Sequence, residues 1–214
     1  MKTKEIASVR ERMIFVSIKP TARDSKSNHT KQALLDSAIA LFLKYGVNKV
    51  TIDNISAECG LSKGAFYHFF TSKDHIVTLS VNSGLDKFIE KNFVLDSNTP
   101  VIDQLIGLNM SAFEYFKYIG KEMTRASYEG QVRSCIEVHI LGRTYVDTLT
   151  ALVRKGLEEN AFRTSFNEDY TYMHCIAVFT GMLLKWCTQD DKMDAVLDWS
   201  KIIQEQFRIM SRNS

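Results

Sequence analysis

The stretch Thr51–Lys73, TIDNISAECGLSKGAFYHFFTSK, decides how the rest of this 214-residue chain is read. Two short helical patterns flank a break at Gly60. In the first, Ile52, Ile55, Ser56 and Cys59 recur at three- and four-residue spacing, so one face is apolar or small and the other polar. Thr51 is placed to cap it, because its hydroxyl accepts from an amide two or three residues on, and Asn54 stands where a capping-box partner lies. Gly60 offers the left-handed residue that ends a helix. Leu61 then turns back as an apolar plug, and Ser62 caps a second helix running through Lys63, Gly64, Ala65, Phe66, Tyr67, His68 and Phe69. Helix, tight glycine turn, helix is an arrangement whose second member can be laid into the major groove of duplex DNA.

The residue types on that second helix suit such a use. Ser62, Lys63, Gly64 and Ala65 in its first turn are small or basic and allow close approach to a base edge or a phosphate. Phe66 and Phe70, four apart, face a core, whereas Tyr67 and His68 point outward where they can donate to phosphate oxygens. Lys73 opens the next helix, where terminal amides favour anions. Thr51, Ser62, Lys63, Gly64, Ala65, Tyr67, His68 and Lys73 are therefore the candidate DNA contacts. The competing reading is an ordinary helical corner with a few surface cations.

Charge favours the first reading. The net charge is only +2, but residues 1–75 hold twelve Lys or Arg against seven Asp or Glu, and the remainder holds fifteen against eighteen. The positive field is concentrated around the corner, as nucleic-acid binding requires.

The run from Lys31 to Ile76 resembles the DNA-binding domain of the TetR family of bacterial transcriptional regulators. The resemblance rests on Ala38, Leu41, Phe42 and Gly46, on Thr51 before Ile55, on Gly60-Leu61-Ser62-Lys63-Gly64, and on Phe66-Tyr67-His68 with Phe70 and Ser72-Lys73. Phe69 stands where His or Tyr is common, and Thr71 where Pro or Lys is common. The resemblance implies an all-α homodimer, usually a repressor, with an N-terminal three-helix helix-turn-helix domain and a larger, variable helical domain that binds a small effector. It also implies that the helix after Ser72 connects the two domains, and that its tilt sets the distance between the two reading heads.

Outside the corner the chain reads as helices throughout, about nine with no strand. Residues 1–27 carry an apolar patch, Met13-Ile14-Phe15-Val16, among basic residues, with Pro20 against one continuous helix; a poorly ordered leader, or an arm touching DNA or a partner, fits. Residues 28–75 form the DNA-binding domain and 76–214 the effector-binding and dimerisation domain. Apolar repeats predict helices over Asn28–Tyr45, from Ser72 to about Phe93, and from Pro100 to about Ile119, the last broken by Gly120. A short helix follows over Glu122–Ala126, then a long one from Gln131 to Glu159, and two more over Asn167–Thr188 and Asp191–Arg212.

The helix over Asn167–Thr188 has a broad apolar face with small residues at its centre, which implies a partner outside the chain. Tyr170, Ala177, Gly181, Leu184, Trp199, Ile203 and Phe207 are the expected contacts of a four-helix dimer interface, two helices from each subunit. Aromatic and Met side chains are candidates for lining an effector cavity: Phe88, Met110, Phe113, Phe116, Met123, His139, Tyr145, Phe162, Met173 and His174. For each of these, plain core is the competing role.

Other function classes are weaker. The widely spaced Cys59, Cys135, Cys175 and Cys187 lack metal-ligand spacing and read as buried thiols in a reducing cytoplasm. No apolar run is long enough to span a bilayer, and no start resembles a signal peptide. No Ser/His/Asp grouping, phosphate loop or metal-spaced histidine pair supports an enzyme, and no metal or cofactor is expected. What remains is a DNA-binding regulator released by a small apolar or amphipathic effector. The alternative is the same fold used without a small ligand, as an architectural or partner-controlled DNA-binding protein, which a closed, filled core would favour.

Overall fold

A computed structural model describes residues 22–163, 167–190 and 198–212. Most of the expected leader, Phe166 of the expected connection and the start of the last expected helix at Asp191 lie outside the described residues. Eight α-helices and a short 3-10 turn, Val47–Lys49, fill those described: α1 (Ala22–Tyr45), α2 (Ile52–Glu58), α3 (Lys63–Phe69), α4 (Lys73–Asn92), α5 (Val101–Ser134), α6 (Thr144–Glu158), α7 (Glu168–Thr188) and α8 (Trp199–Met210). Among these residues the only strand-like feature is an isolated bridge between Phe162 and Ser211.

Seven-residue helices such as α2 and α3 do not persist alone in water, so their stability comes from what they bury. Ile55, Phe66 and Phe70 are fully buried against Leu34, Ala38 and Phe42 of α1 and Ile76 of α4. Each such side chain contributes about 1.5–3 kcal/mol of transfer free energy. This cluster makes a small head in which α1 braces the corner, with α1 starting at Ala22 rather than Asn28.

The spine of the molecule is α4. On one side it holds α1, through a Lys87 Nζ–Asp36 Oδ1 contact of 2.6 Å and a 2.9 Å bond from Gln32 Nε2 to Ser83 Oγ. On the other it packs closely along α5, where Thr78 Oγ1 donates to Ser127 O at 3.1 Å and the Tyr115 hydroxyl donates to Val81 O at 2.9 Å. Whatever moves α4 against α5 therefore moves the head.

One expectation about the body holds with an extension, and another is corrected. Gly120 does break the helical path: at φ +81° and ψ +166° it leaves helical geometry, which suits a residue without a Cβ, and the helical segment beyond it runs on to Ser134 rather than stopping near Ala126. Conversely, no helix spans Gln131–Glu159. Cys135 adopts φ +48°, a loop follows, and α6 starts only at Thr144. Apolar residues keep helical spacing through that loop, but Val138 is buried and Arg143 is drawn onto α4, so tertiary contacts override the local period.

The dimer expectation also needs one correction. Trp199, Ile203 and Phe207 are 8%, 0% and 0% exposed, because the apolar stripe of α8 faces the core that α8 shares with α5 and α7. Those three residues are not on an open face. The α7 set behaves otherwise: Tyr170 and Leu184 are 67% and 48% exposed, Ala177 and Gly181 lie on the same outward stripe, and a Cβ at Gly181 would meet nothing within 4 Å beyond its chain neighbours and the backbone of its own helix.

Candidate nucleic-acid interface

The corner is built by caps. Thr51 Oγ1 accepts from Asn54 N at 3.1 Å while Asn54 Oδ1 accepts from Thr51 N at 2.9 Å, so the capping box closes in both directions. At the other end of α2, Gly60 at φ +65° donates to Ala57 O and Leu61 donates to Ser56 O at 2.8 Å. That pair of bonds is a Schellman motif, which requires the left-handed residue at position 60. Ser62 then caps α3 by accepting from Ala65 N at 3.2 Å, and Ser72 caps α4 by accepting from His75 N at 3.0 Å.

These caps hold α3 with one face down and the other in solvent. Phe66 is buried with its ring 5.4 Å from that of Phe70, and Tyr67 stands edge-on to Phe66 at 5.5 Å, half exposed. Ser62, Lys63, Gly64 and His68 are exposed; Ala65 is half-buried. A Cβ at Gly64 would touch nothing closer than Ser62 Oγ at 3.7 Å, so that part of the first turn is bare backbone facing outward. Thr51 is exposed too, and Lys63 at the start of α3 reaches Asp53 in the first turn of α2, so the two N-termini share one open region.

Electrostatics there are not all permissive. Lys63 Nζ lies 3.0 Å from Asp53 Oδ2 on α2, and this carboxylate holds the ammonium above its ordinary range. Both groups are more than half exposed, so the pair is a weak, exchangeable tie. Lys73 is half-buried in the first turn of α4, and burial pushes its ammonium down. One partnership was not visible in the sequence: Thr71 N donates to His75 Nδ1 at 3.1 Å. Proline, common at position 71 in the resemblance, has no N–H to make that bond. Burial first, then Lys31, holds the His75 imidazole below its ordinary range.

The effector candidates divide. Phe116, His139 and Tyr145 do line one cavity in the body, along with Leu85, Tyr128, Arg143 and Phe179. Phe88, Met110, Phe113, Met123 and Phe162 do not: they pack into the core or against it, Phe113 edge-on to Trp186 at 5.5 Å and Phe162 against Gly156. Met173 and His174 face solvent on α7. The cavity is small, about 30 Å³, which is room for a water molecule or two against the several hundred Å³ of a drug-sized site. Its walls carry a buried polar chain in which the Tyr145 hydroxyl donates to Asn109 Oδ1 at 3.0 Å, and Asn109 Nδ2 in turn donates to Leu105 O. Burial raises the Tyr145 phenol well above its usual range and lowers the His139 imidazole. Arg143, Asn82 and Asp86, which periodicity did not mark, form a densely hydrogen-bonded polar group in the body.

No group of three or more His, Cys, Asp or Glu suited to a metal ion occurs among the described residues, and no helix among them is long and apolar enough to cross a membrane.

A capped glycine corner that presents a small, basic helix face on the positively charged end of the chain defines a helix-turn-helix DNA-binding regulator. Residues 34–78 match the family model described as bacterial regulatory proteins, tetR family. The HTH-type transcriptional repressor KstR2 of Mycobacterium tuberculosis is 27% identical over 168 residues, spanning 74% of this chain and 82% of KstR2. Two solved structures share the fold. The fatty acid degradation regulator FadR of Bacillus halodurans superposes with a TM-score of 0.51 at 14% identity, across 84% of this chain and 93% of its own. FadR of Bacillus subtilis, in complex with stearoyl-CoA, gives 0.50 at 12% identity across 86% and 98%. Residues 34–78 thus carry a DNA-binding domain of the TetR type, and the chain as a whole is similar to regulators of that family.

Proposed function

We propose that the chain is a cytoplasmic repressor that grips a near-palindromic operator as a homodimer and is released by a small apolar or amphipathic effector. The observation that carries this reading is the face of α3: Ser62, Lys63, Gly64, Tyr67 and His68 open to solvent above a fully buried Phe66. In the bound state Ser62, Lys63, Gly64 and Ala65 approach base edges. Thr51, Tyr67, His68 and Lys73 approach phosphates, with Lys63 exchanging Asp53 for the DNA. Pairing is supported by the outward stripe Tyr170, Met173, Ala177, Gly181 and Leu184 of α7, next to the exposed Ile202 and Ile209 of α8. The name of KstR2 supports repression as the direction of control.

The size of the cavity bears on the effector. A molecule seated among Phe116, His139, Tyr145 and Phe179 must push its walls apart, and α4 supplies one wall through Val81, Asn82 and Leu85. Binding energy is thereby spent on moving the helix that carries the head. The same narrowness favours a second reading, in which a protein partner rather than a small molecule controls the dimer. Selection of bound fragments from the source genome tests the function: enrichment of an inverted repeat beside a promoter, whose transcription in vitro falls when the protein is added, is the expected result. No enrichment at low ionic strength overturns it.

A further inference from the structure

The start of α6 is tied to α4 by a dense set of polar contacts. The Arg143 guanidinium uses all five of its N–H donors: Nε to Asp86 Oδ2 at 2.8 Å, Nη1 to Asn82 Oδ1 at 2.9 Å and to Val138 O at 2.6 Å, and Nη2 to Asn82 O at 3.0 Å and to Asp86 Oδ1 at 3.1 Å. The pair is largely buried, with Arg143 and Asp86 side chains 13% and 16% exposed. The next two residues add to it, since Thr144 Oγ1 donates to Glu90 Oε1 at 2.7 Å and Tyr145 N donates to Asp86 Oδ1 at 3.1 Å. Acidic side chains on α4 thus meet the N-terminus of α6, where the helix dipole favours them.

Arg143 also stands between two spaces. It lines the body cavity with Tyr145 and His139, and it lines a groove of about 370 Å³ between the loop and Asn28, Lys31 and Gln32 of α1 in the head. On α4, Asn82 and Asp86 alternate with Ser83 and Lys87, the residues that bond Gln32 and Asp36 of α1. One two-turn segment of α4, residues 82–87, therefore receives the body through Arg143 and the head through Gln32 and Asp36.

We propose that Arg143 is a positioning residue that latches α6 to α4 at Asn82 and Asp86 and so fixes the spacing of the two heads on DNA. The inference rests on the dimeric reading above and deepens it by assigning the contact that sets spacing. With the latch closed, α4 takes one angle and each head one position. With it open, α4 keeps its packing on α5 but loses the tie at its middle, and the heads sample a range of separations. An effector that displaces Tyr145 or Arg143 from the cavity wall acts on this same contact.

The test uses the full chain and the duplex that the wild-type protein selects from a random-sequence pool, together with versions lengthened or shortened by one and two base pairs between half-sites. Wild type is expected to prefer its own spacing by about tenfold, the scale of an ordinary coupling between sites. Arg143→Gln, and independently Asp86→Asn, which cuts the same tie from α4 with little change of shape, are expected to bring that preference below about threefold, on the same scale, while affinity for an isolated half-site is unchanged. A merely structural role would lower affinity on every spacing by one common factor. That outcome, or full wild-type discrimination in either folded variant, overturns the latch alone. A wild-type protein that shows no spacing preference overturns the two-headed reading and the latch with it.

Discussion

Gly130→Ala is the substitution whose effect follows most directly from the geometry of the α4–α5 crossing. A Cβ at this buried position would sit 2.6 Å from Thr78 Oγ1 and 2.9 Å from the backbone oxygen of Asp74. The Thr78 hydroxyl is not free to yield, because it donates to Ser127 O. The Asp74 carbonyl belongs to the first turn of α4, directly after the corner, and must retreat by about half an ångström to reach ordinary contact at 3.4 Å. Overpacking of this kind costs about 1–3 kcal/mol, and a strained Thr78–Ser127 bond about 1 more. The better helix propensity of alanine returns up to about 1 kcal/mol. The net expectation is destabilisation by about 1–3 kcal/mol, read as a lower urea midpoint at unchanged slope and fixed protein concentration. Gly107→Ala is the control: its Cβ would meet only Phe93 Cε2, at 3.4 Å, so it should be neutral or slightly stabilising. A Gly130→Ala protein no less stable than Gly107→Ala would refute the crossing described here.

Lys73→Ala should weaken binding to every duplex and reduce the log–log salt slope by about 0.9, one phosphate contact, while Tyr67→Phe weakens all duplexes alike in equilibrium binding titrations. An unchanged slope and affinity would remove both from the interface. Gly181→Arg should give monomers by sedimentation, because it charges the open α7 stripe, whereas Trp199→Ala should destabilise the chain by about 3–5 kcal/mol without favouring monomers. A dimer that persists in Gly181→Arg would move the interface elsewhere. His75 is held below 6.5 by burial and then by Lys31. A depressed imidazole stabilises the fold fully above about 6.5, and that contribution is lost as pH falls through the lowered value. Burial shifts His139 the same way. His75→Gln should therefore lose less thermal stability than wild type on acidification between about pH 7.5 and 5.5, and identical losses would contradict this.

The head was legible in the sequence because its determinants are local. Thr51 with Asn54, Gly60 with Leu61, and Ser62 each fix a cap within three or four residues, and Phe66 with Phe70 fix which side of α3 is down. The body was less so. Gly120 does break the helical path, but the segment beyond it reaches Ser134, well past the short helix that local spacing indicates, because it packs along α4. The loop at 135–143 kept helical spacing in its apolar residues, and what breaks it is the non-local fork of Arg143 on Asp86, 57 positions away. Trp199, Ile203 and Phe207 formed an apolar stripe that any amphipathic helix presents; only tertiary packing decides whether such a stripe meets its own chain or another. The lining of the body cavity was the least readable element, since Phe113 and Phe116 differ in role while sharing the same helix and residue type.

The central claim is that two chains set their α3 helices into successive major grooves. Hydroxyl-radical footprinting on the selected operator, with stoichiometry from sedimentation of the same complex, addresses it most directly. The account predicts two chains per site and two protected patches on one face of the duplex, about 34–36 Å between centres. A single protected patch carrying one chain, or an unprotected duplex at low ionic strength, would contradict it.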